Sequence, residues 1–170
     1  MSNVLTFTRI FPEYHIRKGE PTYFVEQILN NLISQNIKCN VAEVEAQFGF
    51  RLFDKFRIEC GSKGHTVRSG NDWKVGDQFS PGIWLDKPYV SKIITIAPDM
   101  KIKKIWTFEC SEKGVIAVDG SVIDACQEEE IAKNDGLSLI DFKDWIVMPC
   151  RRNQKSFKGQ IICWDDSIVY

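Results

Sequence analysis

The densest collection of groups able to do chemistry lies in one basic stretch, Gly61-Ser62-Lys63-Gly64-His65-Thr66-Val67-Arg68-Ser69-Gly70, followed by Trp73-Lys74-Val75-Gly76-Asp77. Glycines at 61, 64 and 70 permit tight turns, and the alternation Thr66-Val67-Arg68 places Thr66 and Arg68 on one face of an extended segment. A hydroxyl then sits beside two cations, because a lysine three residues before the threonine can reach it from the adjoining loop. Such a set suits either activation of a nucleophile or the holding of a phosphate. The residues leave both open, beside the ordinary roles in which Thr66 caps a turn and Lys63 is solvated.

Neighbouring residues add candidates for ligand contact. His65 titrates near neutrality, but consecutive strand positions face opposite ways, so its ring diverges from Thr66 unless a bulge intervenes. Arg68 suits a phosphate or carboxylate, or pairs with a structural acid such as Asp77. Aromatic and basic residues interleave beyond it at Trp73, Lys74, Trp84, Lys87, Tyr89 and Lys92, and basic residues return at Arg151, Arg152 and Lys155. That mixture fits bases stacked along a single-stranded RNA. Trp106, Trp145 and Trp164 sit in strong apolar patterns and are expected in the core. His15 lies in a polar turn without an evident partner.

The elements that must position these residues are set by periodicity. Val4 to Ile10 alternates as a first strand, stopped at Phe11-Pro12. Thr22 is placed to cap a helix with Phe24, Ile28, Leu29 and Leu32 inward. A second helical pattern covers about Val41 to Phe56, with Val44, Phe48, Leu52 and Phe53 on one side. Strand-like runs come next at Gln78 to Leu85, Val90 to Ala97, Ile102 to Glu109 and Val115 to Val118, and their series suggests a small barrel. Asp119-Gly120 is a hairpin turn signal. Glu128 to Lys133 reads as a helix stopped at Asn134-Asp135-Gly136. Ser138, with Asp141 three residues on, caps another helix carrying Phe142, Trp145 and Ile146 inward. Asp135 thus falls between two helices, and Phe157 to Trp164 closes the sheet.

Composition bounds the function. The chain has 170 residues, of which 44% are hydrophobic, enough for one core and a single domain over residues 1–170. Twenty-two basic and 23 acidic residues leave a net charge of −1, so a nucleic-acid surface must be a local patch. Six scattered cysteines form no CxxC or paired Cys/His motif and read as reduced thiols in a cytoplasmic protein. Cys60 lies five residues before His65, but two further zinc ligands are missing, so no metal and no other cofactor is expected. No apolar run is long enough to cross a bilayer.

Four motifs in order then carry a resemblance. Lys63-x-x-Thr66-x-Arg68, Lys74-x-Gly76-Asp77, Glu130-Ile131-Ala132-Lys133-Asn134-Asp135-Gly136-Leu137-Ser138 with Phe142 following, and Gly159-Gln160-Ile161-Ile162 together resemble the ASCH domain family of the PUA-like superfamily. The resemblance implies an α+β fold, a small mixed β-barrel flanked by helices, with a cleft for RNA or nucleosides. It also implies kinship with small amidohydrolases that remove the acetyl group of N4-acetylcytidine with a lysine, a threonine and a glutamate. Matched by motif, these fall on Lys63, Thr66 and Asp135, the acid being one methylene shorter here. In that scheme neutral Lys63 takes the Thr66 proton, Asp135 serves the departing amine, and N–H groups of the turn at Gly64 steady the oxyanion. Arg68, His65, Trp73 and Lys74 are the expected substrate contacts. The chain departs from the family by a helical insertion at 35–60 and an extended strand and hairpin region at 84–120. Those insertions suit a protein partner, and a non-catalytic binding module for RNA or a small ligand is the alternative.

Overall fold

The computed structural model describes residues 3–49, 52, 59–85 and 89–170. The fold is mixed α+β. Strand β1 (Asn3–Phe7) leads through a clamped loop to helix α1 (Phe24–Ser34) and then α2 (Val41–Phe48). Next come strands β2 (His65–Ser69), β3 (Gln78–Trp84), β4 (Ile93–Thr95), β5 (Met100–Lys101), β6 (Lys104–Cys110), β7 (Ile116–Val118) and β8 (Ser121–Val122). The chain ends with α3 (Ala125–Asn134), α4 (Leu139–Phe142), a π-helical turn at Lys143–Val147, α5 (Met148–Asn153) and β9 (Phe157–Cys163).

Among the described residues the strands form two sheets and not one closed barrel. In the first, β3 is central, with β1 parallel to it on one edge and β4 and β5 antiparallel on the other. The second runs β2-β9-β6-β7-β8, antiparallel throughout, with Thr66 opposite Ile162 and Arg68 opposite Gln160. Phe7 and Phe79 from the first sheet meet Trp164, at the end of β9, with ring centroids 6.0 and 5.7 Å away. These rings and the buried Ile28, Leu29 and Leu32 of α1 belong to one apolar core. Burying such side chains contributes roughly 1.5–3 kcal/mol each, which is why α1 is fixed although its cap is weak.

That cap differs from expectation. Tyr23, at φ 60°, is the N-cap of α1 and makes no side-chain cap bond. Thr22 Oγ1 donates instead to the Thr8 carbonyl at 2.7 Å and accepts the Phe24 N–H only at 3.4 Å. The second helix is also shorter than its periodicity suggested. Gly49, at φ 72°, ends it in a left-handed turn, with Leu52 buried beyond and Phe53 outside the described residues. The strand expected at Val90 to Ala97 is ordered as such only over Ile93–Thr95, because the chain then bends through Pro98 before rejoining β3. Among the described residues no helix is long and apolar enough to cross a membrane.

Two helix endings place the residues around one cleft. Helix α3 starts with a capping box between Asp124 and Gln127 and ends in a Schellman motif: Leu137 N–H bonds the Ala132 carbonyl and Gly136 N–H the Lys133 carbonyl. Gly136, at φ 76°, takes the left-handed position such a motif needs. Helix α5 ends the same way, with Lys155 N–H on the Cys150 carbonyl and Gln154 in the left-handed region. In the first turn of α5, Pro149 offers no N–H and its ring crowds the preceding turn, which accounts for the widening into a π-turn at Lys143–Val147.

Candidate functional site

The stretch Cys60 to Gly64 lies between α1 and the end of α3, and polar side chains of α1 hold it there. Gln27 Nε2 donates to the carbonyls of Cys60 and Gly136, and Asn30 Nδ2 to that of Gly61. Lys63 N–H bonds the Gln27 carbonyl, and Gly64 N–H bonds the Asn134 carbonyl at 3.0 Å. An alanine Cβ at position 64 would meet Ile168 Cδ1 at 2.6 Å and Asp165 Cβ at 3.1 Å, so a side chain here must displace its neighbours.

Clamped in this way, Lys63 points inward and is only 1% exposed. Its Nζ donates to the Asp135 carbonyl at 2.5 Å and to the Asp135 carboxylate Oδ1. Phe24 lies beneath the ammonium with its ring centroid 4.2 Å away, and Phe7 at 5.7 Å. The carbonyls at the end of α3 are all accounted for. Those of Ile131, Ala132 and Lys133 bond to Asp135, Leu137 and Gly136 N–H, that of Asn134 to Gly64 N–H, and that of Asp135 to the Lys63 amine. A cation at a helix C-terminus also meets the negative end of its dipole.

Burial drives both members of the pair towards neutrality. The Lys63 amine is pulled down to about 8, first by desolvation and further by the Arg68 guanidinium, although Asp135 opposes both. Desolvation likewise raises the Asp135 carboxyl, against the pull of Lys63, Arg68 and the Thr66 hydroxyl. A neutral lysine amine with two N–H bonds committed to Asp135 retains one lone pair for a proton.

A cleft of about 480 Å³ opens over this pair, and Lys63, Thr66, Arg68 and Asp135 all line it. Thr66 and Asp135 are each 5% exposed, so Asp135, distant in sequence, joins Lys63 and Thr66 on a buried floor. The shorter acid still reaches Lys63, because Asp135 directly caps the end of α3 and needs no longer arm. Arg68 donates through Nη2 to the Thr6 carbonyl at 2.5 Å and rests on Phe7 at 5.2 Å. It has no carboxylate within 4 Å among the described residues. Asp77, the partner considered from sequence, instead accepts the Lys74 N–H at 2.8 Å. Arg68 Nε and Thr8 Oγ1 are buried without a hydrogen-bond partner, and both residues line the cleft.

The remaining sequence candidates sit elsewhere. His65 is fully buried on the other side of β2, where Nε2 meets Tyr170 Oη at 2.7 Å and Nδ1 stands 3.9 Å from Asp135 Oδ1. Trp73 packs edge-on against Phe79, and its backbone exchanges bonds with the Gln160 side chain. Lys74 is exposed, and neither it nor Trp73 lines the cleft. Lys87 lies outside the described residues. The turn at Gly64 cannot supply an oxyanion donor through Gly64 itself, since that N–H is held by Asn134.

Sequence reasoning overlooked the cleft walls. Tyr14, Phe24 and Trp145 line it, and Trp145 is half-buried there and not a closed core residue. Trp106 is also half-buried, against Tyr170 on the far side of the second sheet, whereas Trp164 is core. His15, without an evident partner in the sequence, is buried. Its Nδ1 accepts the Arg17 N–H and its Nε2 donates to the Asp141 carbonyl, both at 3.0 Å, so it ties the 11–21 loop to α4, just ahead of the π-turn that carries Trp145. No periodicity could announce this, because the contact spans 126 residues. Among the described residues no three His, Cys, Asp or Glu side chains gather in a way that could hold a metal ion.

Comparison with known proteins adds no relative: no family model matches the chain, and neither a curated protein nor a solved structure does. What the molecule itself defines is a two-sheet α+β protein whose aromatic cleft closes on a buried Lys-Asp pair beside a threonine.

Proposed function

We propose that this chain is an ASCH-like protein of the PUA-like superfamily that deacylates an N4-acylated cytosine, with N4-acetylcytidine as the representative substrate. The observation that carries the reading is the meeting of Lys63, Thr66 and Asp135 on the floor of one cleft with aromatic walls. Its volume lies within the range of small-ligand sites, and flat rings on its walls suit a nucleobase. The two sheets stand in this reading as an open form of the family's barrel, to which the helices α1 and α3 add the site.

The chemistry uses the chain's own groups. Thr66 Oγ attacks the acyl carbonyl carbon while its proton passes to neutral Lys63. Negative charge collects on the carbonyl oxygen, where the uncommitted Arg68 Nε–H supplies the donor that Gly64 cannot. The C–N4 bond then breaks, its electron pair goes to N4, and N4 takes the proton from Lys63. Asp135 orients Lys63 through this exchange. Water, deprotonated by Lys63, hydrolyses the acyl-threonine ester to release the carboxylic acid and restore Thr66.

Cytidine release from N4-acetylcytidine, monitored by the change in ultraviolet absorbance, tests the reading with wild type, Lys63→Met and Thr66→Ala. Turnover lost in both variants is expected; hydrolysis that survives both overturns the mechanism.

A second reading also has an observation behind it. Lys63 completes the C-terminal cap of α3, a structural task that needs no catalysis. A non-catalytic module that holds RNA or a modified nucleoside in the same cleft, with the insertions at 35–60 and 84–120 facing a protein partner, would bind the acylated nucleoside without turning it over.

A further inference from the structure

We infer that the cleft takes its cytidine as a phosphate ester, with the phosphate held at the rim by Lys155 and the free donors around it. This rests on the deacylase reading and names the form of its substrate.

The charge balance of the cleft supports it. While a single proton is shared between them the Lys63–Asp135 pair sums to zero, whichever member carries it. Arg68 and Lys155 remain as two cations lining the cleft, and among the described residues no other carboxylate lines it. Neither has a carboxylate within 4 Å among the described residues, in a chain whose net charge is −1. An anionic ligand is what such a cleft attracts.

Burial then orders the two cations. Arg68 reaches the floor, where its buried Nε lacks a partner. Lys155 is exposed, and with Ser69, Asn153 and Ser156 it forms a rim of side chains that hydrogen-bond nothing else among the described residues. Two frameworks fix that rim. The Schellman ending of α5 sets Lys155, and the pairing of Ser69 with Gly159 brings the end of β2 alongside β9. A base entering with its acylated amine towards Thr66 leaves its sugar outward, so a phosphate on the ribose meets Lys155 and its neighbours. Charge-assisted bonds to a phosphate are about twice as strong as neutral ones.

Binding is measured by calorimetry for cytidine, cytidine monophosphate and a trinucleotide with a central cytosine, at low and high salt. Either phosphorylated ligand is expected to bind at least about tenfold more tightly than cytidine at low salt, with the difference shrinking at high salt and in Lys155→Ala. The stronger of the two identifies the source, free nucleotide or RNA. Equal affinity for cytidine and both phosphorylated ligands overturns the inference, as does a preference unchanged in Lys155→Ala. Because binding is read without turnover, failure of deacylation with the phosphate preference intact sinks only the deacylase reading.

Discussion

Lys63 Nζ completes the C-terminus of helix α3 by bonding both the carbonyl and the carboxylate of Asp135, two residues 72 apart in sequence. Either partner alone would be a buried group without its complement. Lys63→Met and Asp135→Leu are each expected to cost about 3–5 kcal/mol in urea unfolding. The double variant Lys63→Met/Asp135→Leu should cost less than the sum, since no orphaned group remains. Strictly additive losses would show that the two side chains are not coupled.

The same pair sets a pH dependence. A neutral Lys63 is the base in the deacylase reading, and its amine is lowered to about 8. The rate kcat/KM should therefore rise about tenfold per pH unit below that value and level off above it. Stability changes with the matching sign. Between about 8 and the ordinary 10.5 the unfolded chain holds a proton that the native state has lost, so stability rises with pH across this window. The gain, relative to Lys63→Met, is on the order of 3 kcal/mol. Asp135 acts oppositely in acid: its raised carboxyl binds a proton more readily when folded, so its contribution falls as pH climbs through that range.

The strands and helices were legible wherever a single period ruled. The four inward positions of α1, the stop at Asn134-Asp135-Gly136, the Ser138 cap and the Asp119-Gly120 hairpin all arise from local chemistry. So does the shared face of Thr66 and Arg68. The contact of Asp135 with Lys63 was not local, and only the order of motifs suggested it. Nothing local revealed that Gln27 and Asn31, polar residues on the buried side of α1, would clamp the 60–64 loop and the end of β9. Their pattern reads as a flaw in an apolar stripe, and its meaning depends on which distant carbonyls arrive. The π-turn before Pro149 was hidden for a related reason: widening one turn of a helix does not alter which residues are apolar.

Gly136→Ala probes how strictly Asp135 must be held. A Cβ at position 136 would lie 2.2 Å from Gln27 Oε1 and 3.2 Å from Lys63 Cβ, at a φ that side chains rarely adopt. Backbone strain alone costs on the order of 1–3 kcal/mol. The displaced Gln27 also releases the carbonyls of Cys60 and Gly136. Thermal unfolding should show the loss, and because Asp135 directly precedes the strained residue, kcat should fall more than KM changes. An alanine variant of unaltered melting temperature would contradict this account of the turn.

His65 presents a buried imidazole whose pKa lies well below the ordinary value, through desolvation first and then the Lys63 charge. Tyr170 Oη accepts the Asn134 amide at 2.9 Å, which leaves its own O–H to donate to His65 Nε2. That assignment puts the imidazole proton on Nδ1, towards Asp135. His65 resonances should therefore not move in NMR titration where an ordinary imidazole titrates, and should keep the nitrogen shifts of a neutral Nδ1–H ring. Tyr170→Phe removes the donor and leaves Nε2 buried and unpaired, at a cost of about 1–3 kcal/mol. A ring that titrates near its ordinary value in the wild type would mean that water or an acid reaches it, and that His65 belongs to the cleft and not to the packing behind it.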